Sequence, residues 1–89
     1  MEKSVSDVFD AISPESRAVI VEELTRRNPA LLAELRGTQK PTNDQSNAVE
    51  RVLIHALSAN YGPGHVPNEY GLAIERAISA YFEAWPMSG

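Results

Sequence analysis

TNDQSNAVERVLIHALSANYGPGHVPNEYGLAIERAISAYFEAW, residues 42–85, holds about half of the chain and its most regular apolar spacing. Thr42 followed three residues later by Gln45 matches a capping box, in which each side chain satisfies a backbone N–H that the first helical turn leaves free. Val49, Val52, Leu53, Ala56, Leu57 and Asn60 then recur on one face at helical spacing. Gly62, Pro63, Gly64 and Pro67 end that helix, because proline has no N–H to give and disfavours helical geometry in the residue before it. Asn68 caps a second helix, on which Tyr70, Ile74, Ala77, Ile78, Tyr81 and Trp85 share a face with Phe82 at its edge. The spacing predicts a helical hairpin whose arms meet through residues 49–57 and 70–85. Gly71, near the second stripe, permits close approach of another backbone.

Working outward, Ser13-Pro14-Glu15 predicts a helix over 14–27: a serine cap, a proline where the missing N–H costs nothing, and a carboxylate near the positive helix end. Its Val19, Ile20, Val21 and Leu24 spread over a wide arc, which implies more than one packing partner. Glu22, Glu23, Arg26 and Arg27 are expected to face water. Asn28-Pro29 repeats the cap-then-proline arrangement, so a sharp corner and a short helix over 29–36 follow, with Leu31, Leu32 and Leu35 buried and Gly37 as the stop. Residues 37–41, GTQKP, form the expected flexible connection and the first site of proteolysis. At the start, Val5, Val8, Phe9 and Ile12 fit one face of a short helix capped by Ser4, which either docks through Phe9 or serves as an arm for a partner.

All six prolines fall at expected helix boundaries, and no segment alternates with the period of a strand. The chain therefore reads as one all-α domain, residues 1–89: a small bundle of four or five helices around the C-terminal hairpin. Its parts are an N-terminal helix or arm over 1–12, a helix–corner–helix over 13–36, and the hairpin over 42–85.

Composition bounds what such a bundle does. With 43% hydrophobic and 22% charged residues the chain is an ordinary globular one. The absence of cysteine excludes disulfides, a thiolate nucleophile and sulfur-ligated metal. No apolar run approaches the roughly 20 residues a bilayer requires, and MEKSVSDVFDAIS lacks the basic-then-apolar order of a secretory leader, so a cytoplasmic address is expected. A net charge of −4 repels phosphate backbones at long range, which argues against nucleic acid without excluding it.

Side chains that carry chemistry are sparse. His55 and His65 are the two imidazoles, ten residues apart, without the paired spacing of a metal site. His55 lies well off the core stripe and reads as a solvated helix residue. His65, with Tyr61, Glu69 and Tyr70 close in sequence, reads either as a small polar pocket at the elbow or as part of a turn. No serine lies in a nucleophile motif, no glycine-rich loop can cradle phosphate, and no carboxylate pair is placed for acid–base catalysis. No cofactor or metal is expected.

Ile54 and Leu72 fall off the apolar stripes; with Tyr61 and His65 they make the candidate partner surface. The leading expectation is a non-enzymatic acidic protein that binds another protein as an adaptor, inhibitor, antitoxin-like or immunity-like module, with pairing to a second copy as a further outcome. The competing expectation is a nucleic-acid-binding regulator that uses the Arg26-Arg27-Asn28-Pro29 corner and a positive patch of Arg26, Arg27, Arg36 and Lys40. An enzyme centred on His65 is the third class.

Overall fold

The computed structural model describes residues 7–61, 64 and 66–86. A short 3-10 turn, Val8–Ala11, leads into four α-helices: α1 Pro14–Arg27, α2 Pro29–Arg36, α3 Asn43–Ser58 and α4 Glu69–Ala84. The described residues contain no strand, and the fold is a small all-α bundle.

The local grammar accounts for most boundaries. Thr42 Oγ1 accepts from the Gln45 N–H and Gln45 Oε1 accepts from the Thr42 N–H, both at 3.0 Å, completing the capping box of α3. Asn28 caps α2 through the Leu31 N–H at 3.3 Å, and Asn68 caps α4 through the Gly71 N–H at 2.7 Å. Ser13 precedes Pro14 as expected but makes no side-chain cap bond, so proline geometry alone starts α1 there.

Over its described residues the N-terminal segment differs from the expected short helix. It is a single 3-10 turn capped by Asp7, whose carboxylate accepts from the Phe9 N–H at 2.9 Å while Asp10 receives the Asp7 N–H at 3.2 Å. The proposed cap Ser4 and the apolar Val5 lie outside the described residues. The turn is docked on its own chain, with Val8, Phe9 and Ile12 buried. Two bonds hold it: Trp85 Nε1–H donates to the Val8 carbonyl at 3.0 Å, and the Arg17 guanidinium donates to the Ile12 carbonyl at 3.1 Å. Replacing Trp85 with phenylalanine removes the first while keeping an aromatic body, and a neutral hydrogen bond contributes about 1 kcal/mol. Hydrogen exchange should therefore quicken at the turn, with a global stability loss of about that size.

The hairpin of α3 and α4 is present, and α1 packs across both arms, more extensively on α4 than α3 does. One contiguous core results, from Ile20 and Leu24 of α1 through Leu35 of α2 and Val49, Leu53 and Ala56 of α3 to Ile74, Ala77 and Tyr81 of α4. The α4 stripe is thus shared. Tyr81 meets α3 by a buried hydrogen bond of 3.0 Å with Ser46, whereas Tyr70 meets α1. Burial raises the Tyr81 phenol above its ordinary pKa, and the Ser46 bond offsets part of that.

The elbow brings the arms into contact through backbone. The Asn68 N–H donates to the Asn60 carbonyl at 2.9 Å, Tyr61 and Pro67 form an isolated antiparallel bridge, and Gly64 takes a φ of 74° that suits glycine. Gly71 sits against this crossing, so that a Cβ built on it would stand 2.9 Å from both the Asn60 carbonyl oxygen and Pro67 Cβ.

Candidate functional site

The chain expected to present Glu23 to water instead buries it completely. Its place on α1, three residues after Ile20 and one before Leu24, puts it under α4 rather than on the outer face. Tyr70 O–H donates to Glu23 Oε2 at 2.6 Å, Arg27 Nε–H donates to Oε1 at 2.9 Å, and Arg26 approaches Oε2 at 3.4 Å. A second bond of Arg26, to Glu22 at 2.8 Å, extends the network to the surface. Burial by itself raises the Glu23 carboxyl, but the bonds from Tyr70 and Arg27 and the charges of Arg26 and Arg27 outweigh it, and the balance lies below the ordinary 4.5. Burial first, then the bond to Glu23, pushes the Tyr70 phenol well above 10.

The sign of the resulting pH dependence follows from linkage. A carboxyl whose pKa is lower folded than unfolded stabilises the protein above the unfolded value and loses that contribution as pH falls through the folded one. Stability should therefore decline as pH drops below about 4.5, the ordinary glutamate value. Glu23→Gln should flatten that limb in chemical denaturation series across pH 6 to 3.

The network fixes a side chain that reaches a surface hollow beside the α1–α2 corner. Between the corner and α3 lies an open hollow of about 240 Å³ lined by Arg27, Asn28, Ala48, Arg51, Val52 and His55. Arg27 is tethered there by its Nε, and its terminal nitrogens have no partner among the described residues. Arg51, one turn before His55, carries no ion pair among the described residues. Arg51 and His55 also form the wall of a neighbouring hollow of about 180 Å³, shared with Asn47, Glu50 and Ile54. At the other end, Gln45 Nε2–H donates to Glu34 Oε1 at 3.2 Å and ties α3 to α2 across the groove.

No protein-family model, curated protein or solved structure matches this chain.

Of the residues expected to form a partner surface, Ile54, Tyr61 and Leu72 are 46%, 45% and 42% exposed. They do not gather in one hollow. Ile54 adjoins Arg51 and His55 on α3, whereas Leu72 lines a shallow depression walled by α4 alone, with Glu75, Arg76 and Glu83 around it. His65 lies outside the described residues. Tyr70, which the sequence grouped with His65 in a polar elbow pocket, spends its hydroxyl on Glu23. Val66, beside the elbow, is a further exposed apolar residue at 60%.

The expected basic patch is broken up by ion pairs. Arg26 and Arg27 are bonded to Glu22 and Glu23, so the corner carries two positive and two negative charges in contact. Arg36 ends α2 and Lys40 lies in the connection beyond it, where its carbonyl accepts from Thr38 Oγ1 at 3.2 Å. Among the described residues no group of three or more His, Asp or Glu is placed to hold a metal ion. Among the described residues no helix is long and apolar enough to cross a membrane.

Proposed function

We propose that this protein acts without catalysis, by binding another protein through the outward face of α3 beside the α1–α2 corner. The observation that supports this reading best is Ile54: a large apolar side chain left 46% exposed in the middle of a regular helix, next to a hollow that the chain's own residues do not fill. An exposed aliphatic residue alone is ordinary. Ile54 stands out because its neighbours Arg51 and His55 also line a second, larger hollow, so apolar and cationic contacts adjoin on one helix face.

The nucleic-acid reading has less support from the site. A groove binder needs net positive charge at the corner and polar side chains on the second helix. Here the corner is internally neutralised, and α2, PALLAELR, gives three of its eight residues to the core.

Ile54→Asp removes the apolar contact and places a charge at its centre. The side chain is solvated, so stability should change by no more than about 0.5 kcal/mol. Native mass measurements on protein purified from its source cells at low ionic strength should show a heteromeric complex for the natural chain and its loss in Ile54→Asp. A self-complex of two copies, or a strict monomer in both, would contradict the reading.

A further inference from the structure

The hollow between the α1–α2 corner and α3 has more chemistry than a generic contact surface. Arg27 and Arg51 enter it from different elements, His55 and the Asn28 amide add hydrogen-bonding groups, and Ala48 and Val52 give it an apolar wall. Arg27 is held in position by its Nε bond of 2.9 Å to the fully buried Glu23, which leaves the terminal nitrogens of its planar fork for another acceptor. That division is characteristic of a guanidinium oriented for a planar, two-oxygen partner.

The geometry points to this hollow as a pocket for the carboxylate of an acidic side chain, presented by a partner segment that sets an apolar residue against Ile54 in the adjoining hollow. Charge decides between carboxylate and phosphate. Arg26 and Arg27 are compensated by Glu22 and Glu23, so the uncompensated charge of the pocket is that of Arg51, and Glu50 stands on the far side of the Arg51–His55 ridge. One net positive charge matches a monoanion, whereas a phosphate group near its dianionic state would leave a negative charge unmatched in the pocket. Acidic and apolar groups placed side by side match the two hollows that share Arg51 and His55. This inference rests on α3 being the protein-binding face and adds what that face recognises.

The test is an NMR titration of the full ¹⁵N-labelled chain with N-acetyl-glutamyl-leucine amide, its glutaminyl counterpart and inorganic phosphate, at fixed pH and ionic strength. The expected result is saturable shifts at the Arg27 and Arg51 Nε–H groups and the Ala48 and Val52 amides with the glutamyl probe. The glutaminyl probe and phosphate should each bind at least about tenfold more weakly, about 1.4 kcal/mol. Arg51→Gln should abolish saturation without changing the fold, since Arg51 supports no ion pair among the described residues. Equal response to both dipeptides, stronger binding of phosphate, or saturation that survives Arg51→Gln would overturn the inference. Its failure is separable from that of the broader reading: a partner complex lost in Ile54→Asp yet unaffected by Arg51→Gln would leave α3 as the binding face and remove the carboxylate pocket.

Discussion

Glu23→Ala should lower the unfolding free energy by about 2–3 kcal/mol, which for a domain of this size lowers Tm by roughly 10–20 °C. The argument runs from the partners left behind. Without the carboxylate the Tyr70 hydroxyl, 2.6 Å from Glu23 Oε2, loses its acceptor under α4, and Arg27 loses the bond that orients it. Breaking a fully buried pair costs about 3–5 kcal/mol. The guanidinium sides of this one are wetter, at 34% exposed for Arg27 and 57% for Arg26, so both recover hydration and the cost falls below that range. Tyr70→Phe isolates one interaction, a hydrogen bond to a charged acceptor, and should cost about 1.5–3 kcal/mol. The double variant should then lose less than the sum of the two single ones, because both remove the same bond. Denaturant titrations at pH 7 provide the comparison, and strict additivity would mean that Glu23 and Tyr70 stabilise the fold independently.

Gly71→Ala is expected to destabilise, against the usual direction for a glycine inside a helix. In α4 the alanine should gain about 1 kcal/mol in helix propensity. Its Cβ, however, would stand 2.9 Å from the Asn60 carbonyl oxygen and 2.9 Å from Pro67 Cβ, one a backbone atom and the other part of a fixed ring. Neither can swing aside as a flexible side chain does. The crossing must open, and it is the same crossing in which the Asn68 N–H reaches the Asn60 carbonyl at 2.9 Å. Overpacking of this kind costs about 1–3 kcal/mol, so the net change should be a loss in spite of the propensity gain, and valine at the same place should cost more. Thermal unfolding of the two variants decides the sign; a stabilised alanine variant would show that the elbow yields.

How much of this was legible in the sequence depended on how far each cause lies along the chain. The bounds of α1, α2 and the start of α3 follow from Pro14, Asn28-Pro29 and Thr42 with Gln45, whose effects reach no further than one turn. Gly71 was legible as a place of close approach, although not against which backbone. The charge of Glu23 points to water, whereas its position on α1 and its distant partner decide its burial. Ser16, Ile20 and Glu23 follow helical spacing through the buried arc of α1, and the partner that makes burial tolerable, Tyr70, is 47 residues away. Among the described residues of the expected short N-terminal helix there is a single 3-10 turn, in which Asp7 and Asp10 satisfy the N–H groups and Trp85 takes the Val8 carbonyl. The α3 hollow was not legible at all. Arg51 and His55 share a face of α3 one turn apart, but Arg27 is 24 residues before Arg51, and only the packing of α3 beside the corner brings it to the same hollow.

The account stands most directly on whether α3 meets a partner in the cell. A photoreactive residue at position 54, compared with one at Ser79 on the exposed face of α4, measures this in living source cells. The account predicts one adduct of defined mass from position 54 and none from position 79. Equal labelling from both positions, or none from position 54, would contradict it.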